Sequence, residues 1–217
     1  MSEHDAAHLV TVSATYGAGG SIVAPLLAKK LGLPFADRLT TSRQLPDLPQ
    51  SVSERASDDE LAEAPRSTFL RGLALLSAEW NIPVPEDPSA LPAQVRARVL
   101  STLDDLLASG GAVVLGRAAA IALGRRDAVY HVRLDGPVDR RIERGAAWEG
   151  VDVATARKHL EQTDASRVRY VKQLYRVDPA DPALYHLVVD STMLSIEACV
   201  DLVADAAQAA WSFSSQF

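Results

Sequence analysis

A short β-branched run leads directly into a glycine-rich turn, and this junction constrains the chain more than any other feature. Residues 9–12 (Leu-Val-Thr-Val) read as a buried strand ending at Ser13. Tyr16-Gly17-Ala18-Gly19-Gly20 form the turn, and Ser21 opens a helical pattern in which Ile22, Leu26, Leu27 and Leu31 share a face. Gly32 then stands where a helix C-cap glycine is expected. Glycines between a strand and a helix let backbone N–H groups face inward without side-chain obstruction. The helix start adds about half a positive charge. Together these make a nest for an anion, phosphate above all. The same residues would also serve as a tight turn with no ligand, but a place after the first strand of an α/β chain favours the ligand.

The rest of the chain repeats the strand–helix alternation. Residues 34–36 read as a second strand ending at Asp37-Arg38, residues 112–115 as a third followed by Gly116-Arg117, residues 129–134 as a fourth, and residues 187–189 as a fifth. Val95, Val99, Leu103, Leu106 and Leu107 form a helical stripe. A basic helix is expected from Pro137 to Ala147, a long charged helix over residues 153–174, and a closing helix marked by Ile196, Val200 and Val203. The expected fold is α/β, a five-stranded parallel sheet flanked by helices. The 217 residues form one domain on this reading, with an α/β core over 8–38 and 93–217. The proline-rich stretch 39–92 reads as a helical insert, with helices near 59–64 and 68–80, and residues 145–182 as a second mobile helical segment.

Composition narrows the function. A net charge of -6 argues against a general nucleic-acid polymer as partner, since neutralising phosphates along a strand needs a basic surface. The polar start lacks a signal-peptide pattern, and no apolar run approaches the roughly 20 residues of a membrane span. Cys199 is the one cysteine, so no internal disulfide forms, and it reads as a core residue. These points lead to the expectation of a cytoplasmic protein with no membrane partner. His131 falls inside a buried strand and reads as core, while His4, His8, His159 and His186 show no metal-ligand spacing.

Two phosphate-binding patterns compete at the turn. A dinucleotide fingerprint would want glycine at position 22, where Ile22 stands, although Asp37 would suit a ribose contact. A GxxxxGK[ST] loop would run from Ala14 to Ser21, with Gly19 and Ser21 in place, but Ala14 replaces its first glycine and Gly20 its lysine.

The whole chain resembles the cytidylate kinase-like family. The resemblance is carried by Val12-Ser13, Tyr16 to Gly20, Pro34-Phe35, Asp37-Arg38, Val113 to Ala119, the segment 134–144, Gln162-Thr163-Asp164-Ala165-Ser166-Arg167, and Val189 to Thr192 with Ser195-Ile196-Glu197. It implies a P-loop nucleoside monophosphate kinase fold, with ATP and Mg²⁺ as cofactors and nucleotides as ligands. On that resemblance Tyr16, Gly17, Ala18, Gly19, Gly20 and Ser21 would hold the donor phosphates, and the Ser21 hydroxyl would meet the metal. Arg117 would hold the acceptor phosphate, Asp37 and Arg38 would border the monophosphate site, and Asp164 with Arg167 would contact the nucleotide. Residues 39–92 would be the monophosphate-binding region and 145–182 the lid.

Bland readings stand beside these. Ser21 would equally serve as a helix N-cap, and Asp164 and Arg167, one turn apart, as a local ion pair. Arg140, Arg141 and Arg144 would touch triphosphate from a lid or form a solvated helix face. The resemblance implies a family that departs from true cytidylate kinases at the P-loop, a departure this chain shares: true cytidylate kinases carry lysine where Gly20 stands, aspartate where Ala118 stands and arginine where Leu160 stands. Three function classes follow: a nucleotide kinase with a modified loop, a nucleotide-binding pseudokinase or regulator, and a dinucleotide-binding protein. A lysine at position 20 is expected to raise ATP affinity if Gly20 has an ordinary helical φ.

Overall fold

A computed structural model describes residues 7–37, 91–116 and 118–214. The expected helices near 59–64 and 68–80, the rest of the insert, and both Arg38 and Arg117 lie outside the described residues. The elements run β1 (His8–Ala14), α1 (Gly20–Leu31), β2 (Phe35–Asp37), α2 (Leu91–Ala108), β3 (Gly111–Leu115), α3 (Ala119–Leu123), β4 (Val129–Asp135), α4 (Val138–Glu149), α5 (Val153–Tyr175), β5 (Leu187–Asp190) and α6 (Ile196–Ser214). Single 3₁₀ turns sit at Pro182–Leu184 and Ser191–Met193.

The five strands form one sheet in the order β2-β3-β1-β4-β5, with every neighbouring pair parallel. Period-two alternation explains why both faces are covered. Val10 and Val12 of β1, Val113 of β3 and Val132 and Leu134 of β4 point to a core shared with α1 and α6. Leu9, Ala112, Val114 and Val129 point the other way, onto Val95, Val99 and Leu103 of α2 and Leu174 of α5. The helical stripe read from the sequence is therefore the face α2 lays on the sheet. Cys199 is buried in the first of these cores, where burial pushes its thiol pKa up.

Topology places a crevice. The chain leaves β1 toward one edge of the sheet and β3 toward the other, so the carboxyl ends of these adjacent strands flank a cleft. Ligands of open α/β sheets bind at such a reversal. No helix among the described residues is long and apolar enough to cross a membrane.

His131 is a core residue, as its strand position indicated. It is 1% exposed. Its Nε2–H donates to the Gly124 carbonyl at 2.9 Å, leaving Nδ1 to accept from the Thr11 hydroxyl at 2.8 Å. That pair of bonds holds the ring neutral, and burial lowers its pKa from 6.5 to about 4. His186, stacked on it at 5.0 Å, is lowered by burial too. A base whose pKa falls on folding stabilises the fold fully above its unfolded value, and loses that contribution as pH falls toward the folded one. Stability should therefore drop as pH falls from about 6.5 toward 4, by roughly 3 kcal/mol from His131 at ~1.4 kcal/mol per pH unit. Urea titrations at pH 7.5 and 4.5 check this, and equal unfolding free energies would show that His131 is not held neutral.

Candidate functional site: a phosphate cradle at the end of β1

The turn after β1 is shaped by two glycines in the left-handed region, Gly17 at φ 72 and Gly19 at φ 83. Neither tolerates a side chain. A Cβ on Gly17 would lie 2.0 Å from the Arg141 carbonyl oxygen, and one on Gly19 would lie 3.1 Å from the Trp148 ring. Gly19 caps α1, and its carbonyl accepts the N–H groups of Ile22 and Val23 at 3.0 and 2.9 Å. Ser21 is thus inside the first turn of α1, which corrects the alternative in which it caps the helix; its side chain is exposed toward the cleft. Among the described residues, the N–H groups of Gly17, Gly19, Gly20 and Ser21 donate to no protein acceptor. Four free donors at the start of a 12-residue helix make the expected nest.

The loop is held in shape from three directions. From β4, Asp135 accepts the Thr15 hydroxyl at 2.9 Å and the Gly136 N–H at 2.9 Å, and Arg133 holds its other oxygen at 2.7 Å. Burial alone would raise this carboxyl pKa; the Gly136 N–H and Arg133 outweigh it and leave the pKa below the usual carboxylate range. From the turn after β5, the Ser191 hydroxyl donates to the Ala18 carbonyl at 2.7 Å. From the α4–α5 hairpin comes Arg141, only 6% exposed. It donates through Nη1 to the Tyr16 carbonyl at 3.1 Å and to Asp164 at 2.6 Å, and through Nε to the Gly136 carbonyl at 2.9 Å. Asp164 in turn accepts the Tyr16 N–H at 2.8 Å.

Tyr16 is the hinge pin of this arrangement. Its ring packs with Ile142, Ala146, Ala156 and Leu160 of the hairpin. Gly145 makes room for it, since a Cβ there would lie 2.3 Å from the ring. Burial, then the neighbouring Glu149 carboxylate, keep the hydroxyl protonated well above the usual tyrosine range. Leu160 is a member of this apolar cluster.

Asp164 and Arg167 are brought to the loop but not to each other. Arg167 Nη1 donates to the Ala14 carbonyl at 2.9 Å, so the alternative of a local ion pair is corrected: Asp164 pairs with Arg141. Arg141 is likewise no solvated residue, whereas Arg144 donates to the Ser191 carbonyl and stacks on Trp148 at 4.6 Å. Arg140 contacts Met193, and neither Arg140 nor Arg144 lines the cleft. Asp37 ends β2 in register with Leu115.

Gly20 is the most informative position. Its φ is not positive, yet a Cβ there would lie 2.5 Å from the Ala14 Cβ and 3.2 Å from Leu115 Cδ1. The two departures from the GxxxxGK[ST] pattern are therefore one steric fact: the methyl group at 14 fills the space a side chain at 20 would need.

The cleft in front of the loop encloses about 1020 Å³. Its walls come from the loop, Gly116 and Ala118 after β3, Arg133 and Asp135, Asp164 and Arg167 of α5, and Tyr185. Ala118, at φ 53, is a strained non-glycine residue in the wall of this cleft.

Against known proteins, the profile of the cytidylate kinase-like family matches residues 9–193. The chain belongs to the cytidylate kinase-like family. It is 31% identical to the cytidylate kinase of Aeropyrum pernix over 198 residues, covering 91% of this chain and 97% of that protein. It is 36% identical to the cytidylate kinase of Methanopyrus kandleri over 94 residues, 40% of this chain and about half (49%) of that relative's length. Among solved structures, an uncharacterized protein from Eubacterium ventriosum superposes with a TM-score of 0.64 at 18% identity, covering 94% of this chain and 99% of that one. That likeness speaks for the fold, a parallel sheet flanked by helices.

Asp135 was not singled out in the sequence, Thr15 and Ser191 stood there only inside longer motifs, and Arg141 was read only as one of three arginines of a lid or a solvated face. Asp135 had a signal, an acid at a strand's carboxyl end before Gly136-Pro137. Arg141 had one too: its i+4 neighbour is Gly145, a helical glycine that marks a close approach.

Proposed function

We propose that the chain binds ATP and a pyrimidine nucleoside monophosphate and transfers the γ-phosphoryl group between them. The observation that carries this reading is the set of four free N–H groups at Gly17, Gly19, Gly20 and Ser21, opening onto a cleft at the sheet's carboxyl ends. Phosphoryl transfer asks little covalent chemistry of a protein and much positioning and positive charge. The N–H groups would hold the donor phosphates. The names of the relatives from Aeropyrum pernix and Methanopyrus kandleri support cytidine monophosphate as acceptor. Arg117, by its place after β3, would grip the acceptor phosphate, with Asp37 and Arg38 at the border of that site. Residues 39–92 would cover the acceptor side, and 145–182 would act as the lid.

The residues fit a magnesium ion bound chiefly by the nucleotide. Among the described residues no group of three His, Cys, Asp or Glu side chains comes together. Ser21 alone would offer a hydroxyl, with phosphate oxygens and water completing the shell, as Mg²⁺ tolerates. When bound, the ion would neutralise charge developing on the phosphates.

A second reading has its own observation. The absence of room for a lysine at position 20 favours a protein that holds nucleotide and turns over slowly or not at all, because losing one preorganised electrostatic contact costs about 10²–10³ in rate. ADP release measured with CMP, UMP, dCMP, AMP and GMP separates the two. Monophosphate-dependent ADP formation is the expected result. ATP binding without ADP would favour the regulator, and no binding of any nucleotide by folded protein would end both readings.

A further inference from the structure

We infer that Arg167 of α5 supplies, from across the cleft, the cation that the loop itself has no room to carry. The inference rests on the phosphate-site reading above and adds the group that completes it. Three observations meet here. First, the loop cannot host its own cation, since any side chain at Gly20 runs into the Ala14 methyl group at 2.5 Å. Second, Arg167 is anchored on that same residue, its Nη1 donating to the Ala14 carbonyl at 2.9 Å. The guanidinium is thus held at the end of β1, exposed and lining the same cleft as Gly20.

Third, the charge is available. Among the described residues the other cleft arginines are committed: Arg133 to Asp135 at 2.7 Å and Arg141 to Asp164 at 2.6 Å. Arg167 has no carboxylate within ion-pair distance among the described residues, only the backbone carbonyl. One such bond leaves most of a five-donor fork unused. A planar guanidinium suits phosphate oxygens bidentately. Asp164, one turn earlier, fixes the height of α5 against the loop through the Tyr16 N–H, so the guanidinium arrives at a defined place. Because the cation comes from α5, tight binding of a nucleoside triphosphate depends on α5 being docked, which a loop lysine would not require.

The test is calorimetric titration of MgATP and of CMP into the natural chain, Arg167→Ala and Arg167→Lys, with thermal melting alongside. Arg167→Ala should weaken MgATP binding about ten- to a hundredfold, the scale of a lost charged hydrogen bond, and change CMP binding less than threefold. Arg167→Lys should recover part of the loss. Its melting temperature should stay near that of the natural chain, because the side chain is exposed. Adding Ala14→Gly and Gly20→Lys to Arg167→Ala should restore MgATP affinity if the two cations serve the same phosphates. Unchanged MgATP affinity in Arg167→Ala overturns the inference alone. So does a loss confined to CMP, which would put Arg167 on the acceptor, or a folded triple variant that recovers nothing. If the natural chain, while folded, binds neither ligand, the phosphate-site reading falls and the role of Arg167 with it.

Discussion

Arg141→Ala should cost this protein roughly 3–5 kcal/mol of stability, the scale for breaking a buried ion pair from one side. The substitution leaves the Asp164 carboxylate, 21% exposed, without its cation. It also leaves two carbonyl groups, of Tyr16 and Gly136, without their donor. A buried acceptor left unmade is expensive, and here three elements lose their common tie at once. The effect should extend beyond stability. With α5 hydrogen-bonded to the loop only through the Tyr16 N–H and the Ala14 carbonyl, nucleotide binding should fall as well, even below the melting transition. Arg141→Lys should rescue little, because one ammonium nitrogen lacks the spread, planar fork that reaches these acceptors from both Nη1 and Nε. Denaturant titration of the natural chain, Arg141→Ala, Asp164→Asn and the double variant gives the coupling energy directly. A loss below about 1 kcal/mol for Arg141→Ala would show that the hairpin is not fastened to the loop through this residue.

Gly20→Lys should destabilise the chain rather than improve it. On sequence grounds an ordinary φ at Gly20 would have made the lysine welcome, and the φ is indeed not positive. Space decides otherwise: a Cβ at 2.5 Å from the Ala14 Cβ cannot be accommodated without moving β1 or α1. Overpacking of this kind typically costs 1–3 kcal/mol. About 2 kcal/mol corresponds to roughly 4–8 °C in melting temperature for a chain of this size. The paired change Ala14→Gly with Gly20→Lys removes the obstacle and should return most of that loss. It should also bind MgATP more tightly than the natural chain. Thermal melts of the single and paired variants, with calorimetry on the paired one, check both halves. A single variant as stable as the natural chain would show that the methyl group at 14 is not the reason for glycine at 20.

The five strands were legible because each is a short β-branched or apolar run bounded by glycine, proline or acid, and a parallel sheet buries such runs on both faces. Boundaries moved by only a residue or two, as at β1, which begins at His8 and ends at Ala14. The nest was legible for the same local reason, that glycine at 17 and 19 permits what other residues do not. What escaped the sequence was everything joining residues far apart along the chain. Arg141 and Tyr16 are 125 positions apart, and Asp164 and Tyr16 148. Helical spacing suggested a pair between Asp164 and Arg167, but Asp164 pairs with Arg141 of α4 and the Tyr16 N–H, while Arg167 donates to the Ala14 carbonyl. Leu160 looked like a missing arginine; it is apolar because Tyr16 packs against it. The relation between Ala14 and Gly20 was invisible as spacing, since the two residues meet only because the loop folds back on the end of β1.

Phosphate held by the loop's free N–H groups would be seen at those amides themselves by NMR. MgATP added to uniformly ¹⁵N-labelled protein should shift the amide signals of Gly17, Gly19, Gly20 and Ser21 first and most, with smaller shifts at Tyr16 and along α5. Shifts confined to other parts of the sheet edge, or none at millimolar MgATP in a folded sample, would contradict a phosphate site at the loop.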